Sequence, residues 1–154
     1  MVDSREDASP DEEFEPVYVE LDWYDGPRGG LGDINGVPHY FRAVNAYARP
    51  DAPDDEHFVW PAGQKALAWE REQWAIFVEW NGRYEAGTAT LDSHPERHGV
   101  NARYDELARL LEPHRNMPTD VGRMRVEWRW DLSPTGTRYH TDGPGYRAQW
   151  RPAQ

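Results

Sequence analysis

Apolar and polar residues alternate near both ends of this chain, with the period of two that is typical of β-strands. From residue 17 to 24, valine, leucine and tryptophan alternate with tyrosine and acidic residues. Five consecutive alternations follow from 123 to 132, and the pattern returns from 146 to 151. These segments predict strands with one buried face. The apolar positions expected in the core are Val19, Leu21, Trp23, Val126, Trp128 and Trp130.

Turn-forming residues separate the first strands. Asp25–Gly30 is rich in glycine and proline and predicts a break after the first strand. Asn35-Gly36 favours a type I′ hairpin between residues 31–34 and 37–44. A three-strand meander is therefore expected, with a short edge strand at 57–60.

The middle of the chain changes to the spacing of amphipathic helices. We predict one helix over 62–80, with Leu67 and Trp74 on its buried side. The alternative is a strand over 74–80 that ends in an Asn-Gly turn. A second helix is predicted over 101–112, with Asn101 as N-cap and Leu107 in the core, ending at a proline.

These elements predict an α+β fold: an antiparallel sheet of about six strands with two helices on one face. The 154 residues are enough for one domain. Residues 1–16 contain many acids and few apolar side chains, so we expect a flexible acidic tail. Residues 17–154 are expected to form the single domain.

Composition narrows the class of protein. The formal net charge of -11 disfavours nucleic acid and anionic membrane surfaces as partners. The chain contains no cysteine, which excludes disulfides and thiolate metal sites. A single lysine against sixteen arginines is typical of a GC-rich bacterial genome. No leader or long apolar run is evident, so a cytoplasmic location is expected. The oligomeric state is left open.

The turns of the meander hold the densest group of reactive side chains. Asp25, Asp33 and His39 could supply acid–base chemistry, and Arg28 could bind a carboxylate or phosphate. The alternative is that these residues are present only because the tight turns between the strands require them. Neither a P-loop nor a dinucleotide-binding motif is present, so no cofactor is expected. His94 and His98 lie in a loop with no third ligand nearby, so no metal site is expected.

The same stretch carries a resemblance. Tyr24-Asp25-Gly26-Pro27-Arg28, the hairpin Gly36-Val37-Pro38-His39-Tyr40 and the tryptophan-rich segment 69–80 resemble a group of small uncharacterised bacterial proteins. The likeness covers about half of the chain. It implies a meander followed by a helix and implies no activity.

Charge is distributed unequally along the chain. Residues 1–25 hold ten acids and one arginine, whereas 121–154 hold six arginines and three acids. Five of these arginines are predicted to share the exposed face of two paired strands, where they could bind anions or simply pair with nearby acids. They are Arg123, Arg125, Arg129, Arg147 and Arg151. The acidic tail is expected to be attracted to them.

Charge and shape together favour a small interaction protein that binds a partner through its charged surface, as inhibitor and immunity proteins do. The alternative is an enzyme or binding protein for an anionic small molecule, with its site at the turns between Asp25 and His39. A protein partner or an anionic small molecule is therefore expected, and nucleic acid is not.

Overall fold

Six antiparallel strands form a closed barrel in the computed structural model, which describes residues 13–47, 49–131 and 138–153. The strands are β1 (Glu15–Trp23), β2 (Pro27–Ile34), β3 (Val37–Ala43), β4 (Glu56–Pro61), β5 (Gly122–Trp130) and β6 (Tyr146–Pro152). Each strand pairs with the next in sequence, and β6 pairs with β1. The predicted meander and its Asn35-Gly36 turn are confirmed, since both turn residues have positive φ.

Helices connect β3 to β4 and β4 to β5. They are α1 (Val44–Tyr47), α2 (Gly63–Glu85) and α3 (Ala102–Arg115), with a short 3-10 turn at Leu91–Ser93. The long α2 decides between the two alternatives for residues 74–84 in favour of a helix. Asn101 is the N-cap of α3, since its Oδ1 accepts a hydrogen bond of 2.9 Å from the Tyr104 backbone N–H. The predicted end of α3 before Pro113 is wrong, because the proline lies within the last turn.

The predicted open sheet with helices on one face is wrong, because the sheet closes on itself. Glu15 and Pro16 of β1 pair with Ala148 and Arg147 of β6. The predicted edge strand, β4, therefore has a neighbour on each side. Alternation of apolar and polar residues shows only that one face of a strand is buried. A closed barrel and an open sheet covered by helices both bury one face of each strand, so the pattern does not distinguish them.

Closure produces two separate cores. Phe41 points into the barrel, whereas its neighbour Tyr40 points outward toward the helices, as alternation in a strand requires. The barrel interior contains Val17, Ile34, Phe41, Val59, Val126, Tyr146 and Ala148. The outer core joins the barrel to α2 and α3 and contains Val19, Leu31, Tyr40, Trp60, Ala62, Ala66, Trp74, Leu107 and Leu111. A side chain on β3 can therefore belong to either core.

Three side chains predicted to be buried are exposed: Leu21 at 40%, Trp23 at 41% and Trp130 at 43%. Leu67 and Trp128, also predicted to be buried, are only partly buried. The register of β1 against β2 shifts between Glu20 and Asp22, so the simple alternation is interrupted there. Trp23 and Trp130 instead pack edge to face, with ring centroids 5.7 Å apart. Together they form an aromatic edge at one end of the barrel.

Within the described ranges, no helix is long and apolar enough to cross a membrane. Leu132, predicted as the last residue of a strand, lies outside the described residues. So do residues 1–12 of the predicted acidic tail.

Candidate functional site

The four side chains of the predicted turn site form two groups. β2 begins at Pro27, so Asp25 and Arg28 lie at one end of that strand and Asp33 at the other, about 17 Å from Arg28 at the usual rise per residue. His39 is next to Asp33 in the ladder, because it pairs with Gly32. The structure does not bring the four residues together.

Each group is held by local contacts. The Arg28 Nε donates to the Tyr24 carbonyl at 2.8 Å, and its Nη1 lies 3.8 Å from an Asp54 carboxylate oxygen. At the other end, the Tyr18 hydroxyl donates to Asp33 Oδ2 at 2.9 Å. His39 Nδ1 lies 2.7 Å from the Val37 carbonyl oxygen. An anionic ligand at these turns stays a prediction.

The five arginines predicted on one face do lie on paired strands. Arg125 is directly opposite Arg151, and Arg129 is opposite Arg147. Acids contact several of them: Arg125 binds Asp55 through two hydrogen bonds of 2.9 and 3.0 Å, Arg123 pairs with Glu56, and Arg147 lies 3.7 Å from Asp131. An interaction through this charged face stays a prediction.

A pocket with a volume of about 440 Å³ lies between strands β1–β4 and helices α2 and α3. Aromatic residues line much of this pocket: Trp23, Tyr40, Phe41, Trp60, Trp74, Phe77 and Tyr104. The charged side chains in its wall are Glu20, Asp22, Arg42, Glu70, Glu96 and Arg115. Sequence analysis proposed none of these as site residues.

A buried ion pair forms the inner part of this wall. The Glu70 side chain is 1% exposed, and both of its oxygens accept from Arg115, at 2.8 Å from Nε and 2.6 Å from Nη2. The Tyr40 hydroxyl donates to Glu70 at 2.8 Å. Gln73 accepts from Arg115 at 2.5 Å and donates to the Tyr104 backbone carbonyl at 3.1 Å. α2, α3 and β3 are therefore joined through one carboxylate.

A second carboxylate is bound at the mouth of the pocket. Glu20 accepts two hydrogen bonds from Arg138, at 2.8 and 3.2 Å. The hydroxyls of Tyr146 and Tyr139 donate to it at 3.0 and 3.2 Å. The guanidinium of Arg138 also lies over the ring of Trp23, 4.2 Å from its centroid. This network fixes the aromatic edge of the barrel next to the pocket.

These contacts determine the protonation of the phenols. Burial, reinforced by the Glu70 carboxylate, raises the pKa of Tyr40 well above its usual value. Burial and the charge of Glu96 raise the pKa of Tyr104 to about 12. Burial alone would lower the pKa of Arg115, but its hydrogen bonds to Glu70 and the charge of that carboxylate raise it. At neutral pH these groups are fixed donors, suited to holding a shaped wall.

One signal in the sequence could have identified this network. Ala66, Glu70, Gln73 and Trp74 follow the spacing of a single helix face, so two polar residues lie among apolar ones. A glutamate on such a face is buried only when it has a partner. The partner, Arg115, lies 45 positions further along the chain, and no local pattern connects the two.

A second buried ionisable group, His57, lies in the barrel interior and is 0% exposed. The rings of Phe41, Trp128 and Trp150 surround it with centroids 5.7–5.8 Å away. Nδ1 lies 3.2 Å from the Asp55 carbonyl oxygen, which is consistent with Nδ1 carrying the proton of a neutral imidazole. The pKa of His57 is lowered to about 4, mainly by burial and in part by the charge of Arg28, and the hydrogen bond to the Asp55 carbonyl opposes the shift.

This histidine predicts a stability that depends on pH. The pKa of His57 falls from 6.5 to about 4 on folding. As pH drops below about 6.5, the unfolded chain therefore binds a proton at His57 while the folded chain does not, and the protein loses stability. We expect the free energy of unfolding to fall by about 2 kcal/mol between about pH 7.5 and about pH 5, as measured by urea denaturation at each pH. His57→Phe should remove most of this dependence, and His98→Gln, at an exposed loop position, should retain it. An equal dependence in His57→Phe would contradict the assignment.

Comparison of this chain with known protein families, with curated proteins and with solved structures finds no match.

Proposed function

We propose that this protein binds a small organic molecule in the pocket between the barrel and helices α2 and α3. The observation that supports the proposal most directly is the position of the Glu70–Arg115 ion pair in the wall of a 440 Å³ pocket. Pockets of about 300–1,000 Å³ with apolar walls and a few fixed polar groups are typical of small-molecule sites.

The pocket is formed in advance of binding. Two of its tryptophan side chains are held by hydrogen bonds to backbone carbonyls: Trp60 Nε1 donates to the His114 carbonyl at 3.1 Å, and Trp74 Nε1 donates to the His140 carbonyl at 2.7 Å. Tyr40 stacks on Trp60 with centroids 5.5 Å apart. Side chains that are already ordered lose little conformational entropy when a ligand arrives, which favours binding.

Two matched variants test the proposal. Leu21 and Val37 are both exposed apolar residues on strands, but only Leu21 lines the pocket. Leu21→Trp should narrow the mouth, whereas Val37→Trp adds the same bulk elsewhere. The probe is a library of small amines, acids and neutral aromatic compounds, screened by NMR against the labelled full chain.

We expect compounds that shift resonances of Trp60, Trp74 and Gln73, and binding of those compounds should be lost in Leu21→Trp but retained in Val37→Trp. Bound compounds should also raise the melting temperature of the wild-type chain. The proposal is wrong if no compound shifts pocket resonances, or if Leu21→Trp binds the same compounds with unchanged affinity.

A further inference from the structure

The charge of the pocket wall is unbalanced. Glu20, Asp22, Glu70 and Glu96 face two guanidinium groups, those of Arg42 and Arg115. Arg138, bound to Glu20 from outside the wall, adds a third positive charge. The net charge of -11 on the whole chain adds a field of the same sign, which raises the local concentration of cations.

The guanidinium groups of this region are already bound to protein groups. Arg115 binds Glu70 and Gln73, and Arg138 binds Glu20. Arg42 donates to the Arg115 backbone carbonyl at 3.2 Å. An incoming anion would have to compete with these carboxylates at short range, which costs binding free energy.

Glu96 differs from the other carboxylates of the wall. Its side chain is exposed, and it makes no hydrogen bond or ion pair through its carboxylate within the part of the chain that the structure describes. It lies close enough to Tyr104 for its charge to act on that phenol. Glu96 is therefore a charged group at the pocket that a ligand can reach without displacing a protein partner.

The aromatic wall already binds cations. Arg42 lies over the Trp60 ring, 5.5 Å from its centroid, and Arg138 over Trp23 at 4.2 Å. The electron-rich faces of tryptophan attract positive charge in this way. Trp74, Phe77 and Tyr104 line the same pocket and provide further aromatic surface for a ligand.

We propose that the pocket selects an organic cation: an amine carried on a flat apolar body, with its positive charge near Glu96 and its body against the aromatic wall. This inference rests on the proposed function and adds the charge of the ligand to it. It differs from the anionic ligand expected at the turns between Asp25 and His39, because it concerns another part of the barrel.

Three probes of nearly equal shape test the charge preference. Tryptamine is a cation, indole-3-propionate an anion and tryptophol is neutral, and each is titrated into the full chain while NMR follows the pocket resonances. We expect tryptamine to bind about tenfold more tightly than indole-3-propionate, with tryptophol between them. The ratio should fall as salt is raised, because ions screen exposed charges.

A charge variant identifies the group responsible. Glu96→Gln should weaken tryptamine binding about threefold to fivefold and leave tryptophol binding unchanged, as expected for one exposed charge. Glu127→Gln, on the outer face of β5, is the matched control and should change neither. Indole-3-propionate binding as tightly as tryptamine, or Glu96→Gln retaining full selectivity, would overturn the inference while the pocket stands as a binding site. Absence of any shift with all three probes would also overturn the inference, and the library screen would then decide the proposed function separately.

Discussion

Replacing Arg115 by methionine is expected to lower the free energy of unfolding by about 3–5 kcal/mol, the usual cost of removing one partner from a buried ion pair. Glu70, whose side chain is 1% exposed, would be left with only the Tyr40 hydroxyl to stabilise its charge. The same change would also remove the hydrogen bond to Gln73 that helps to join α2 and α3. Chemical denaturation of the variant at neutral pH measures the loss.

The same two helices provide a control. Arg103 of α3 pairs with Glu72 of α2, but its side chain is 42% exposed, against 24% for Arg115. Arg103→Met should therefore destabilise the protein far less, because water replaces the lost partner. The double variant Glu70→Leu/Arg115→Met should recover most of the loss, since no buried charge is then left unpaired. Equal losses from Arg103→Met and Arg115→Met would show that burial does not control this interaction.

Features that depend on neighbouring residues could be predicted from the sequence. The Asn35-Gly36 turn needs only two residues that tolerate positive φ, and the N-cap of α3 needs only one side chain within three positions of the N–H that it accepts from. The alternation of β5 is a local pattern, and Val126 is buried as expected. In each case the stabilising contact is encoded within a few positions.

Closure of the barrel could not be predicted in this way. It depends on pairing between Glu15 and Ala148, which are 133 positions apart, and neither residue carries a signal for the other. The exposure of Trp23 and Trp130 has the same origin, because their burial depends on where the bulged strand β1 meets the end of the barrel.

The candidate site was missed because its parts are distant in sequence and ordinary in type. Glu70 is one acid among several on α2, and its burial follows only from Arg115 and Tyr40. The turn residues attracted attention because glycine, arginine, aspartate and histidine lie together in the chain. β2 then carries them to opposite ends of a strand. Proximity in the sequence predicted a binding site at these turns, whereas the observed pocket is formed by tertiary contacts between residues that are distant in sequence.

Gly30 of β2, which the sequence places in a turn, is instead required by strand packing. A Cβ built at Gly30 would lie 2.7 Å from the Phe41 ring carbon Cζ and closer still to the Val19 backbone carbonyl oxygen. Backbone oxygen in a paired strand cannot move aside without breaking the ladder between β1 and β2. We therefore expect Gly30→Ala to destabilise the protein by about 3 kcal/mol, at the upper end of the range for overpacking.

Replacing Gly82 by alanine should increase the free energy of unfolding, the opposite of the effect expected at Gly30. Gly82 lies within α2, its φ is not positive, and a Cβ built there meets nothing within 4 Å. Alanine is favoured over glycine by about 1 kcal/mol in a helix interior, so Gly82→Ala should stabilise the protein. Both substitutions restrict the unfolded chain to the same extent, so the difference between them isolates the contacts of the folded state. Urea denaturation of the two variants measures that difference, and a Gly30→Ala protein as stable as Gly82→Ala would show that β1 and β2 do not require the close approach seen at this glycine.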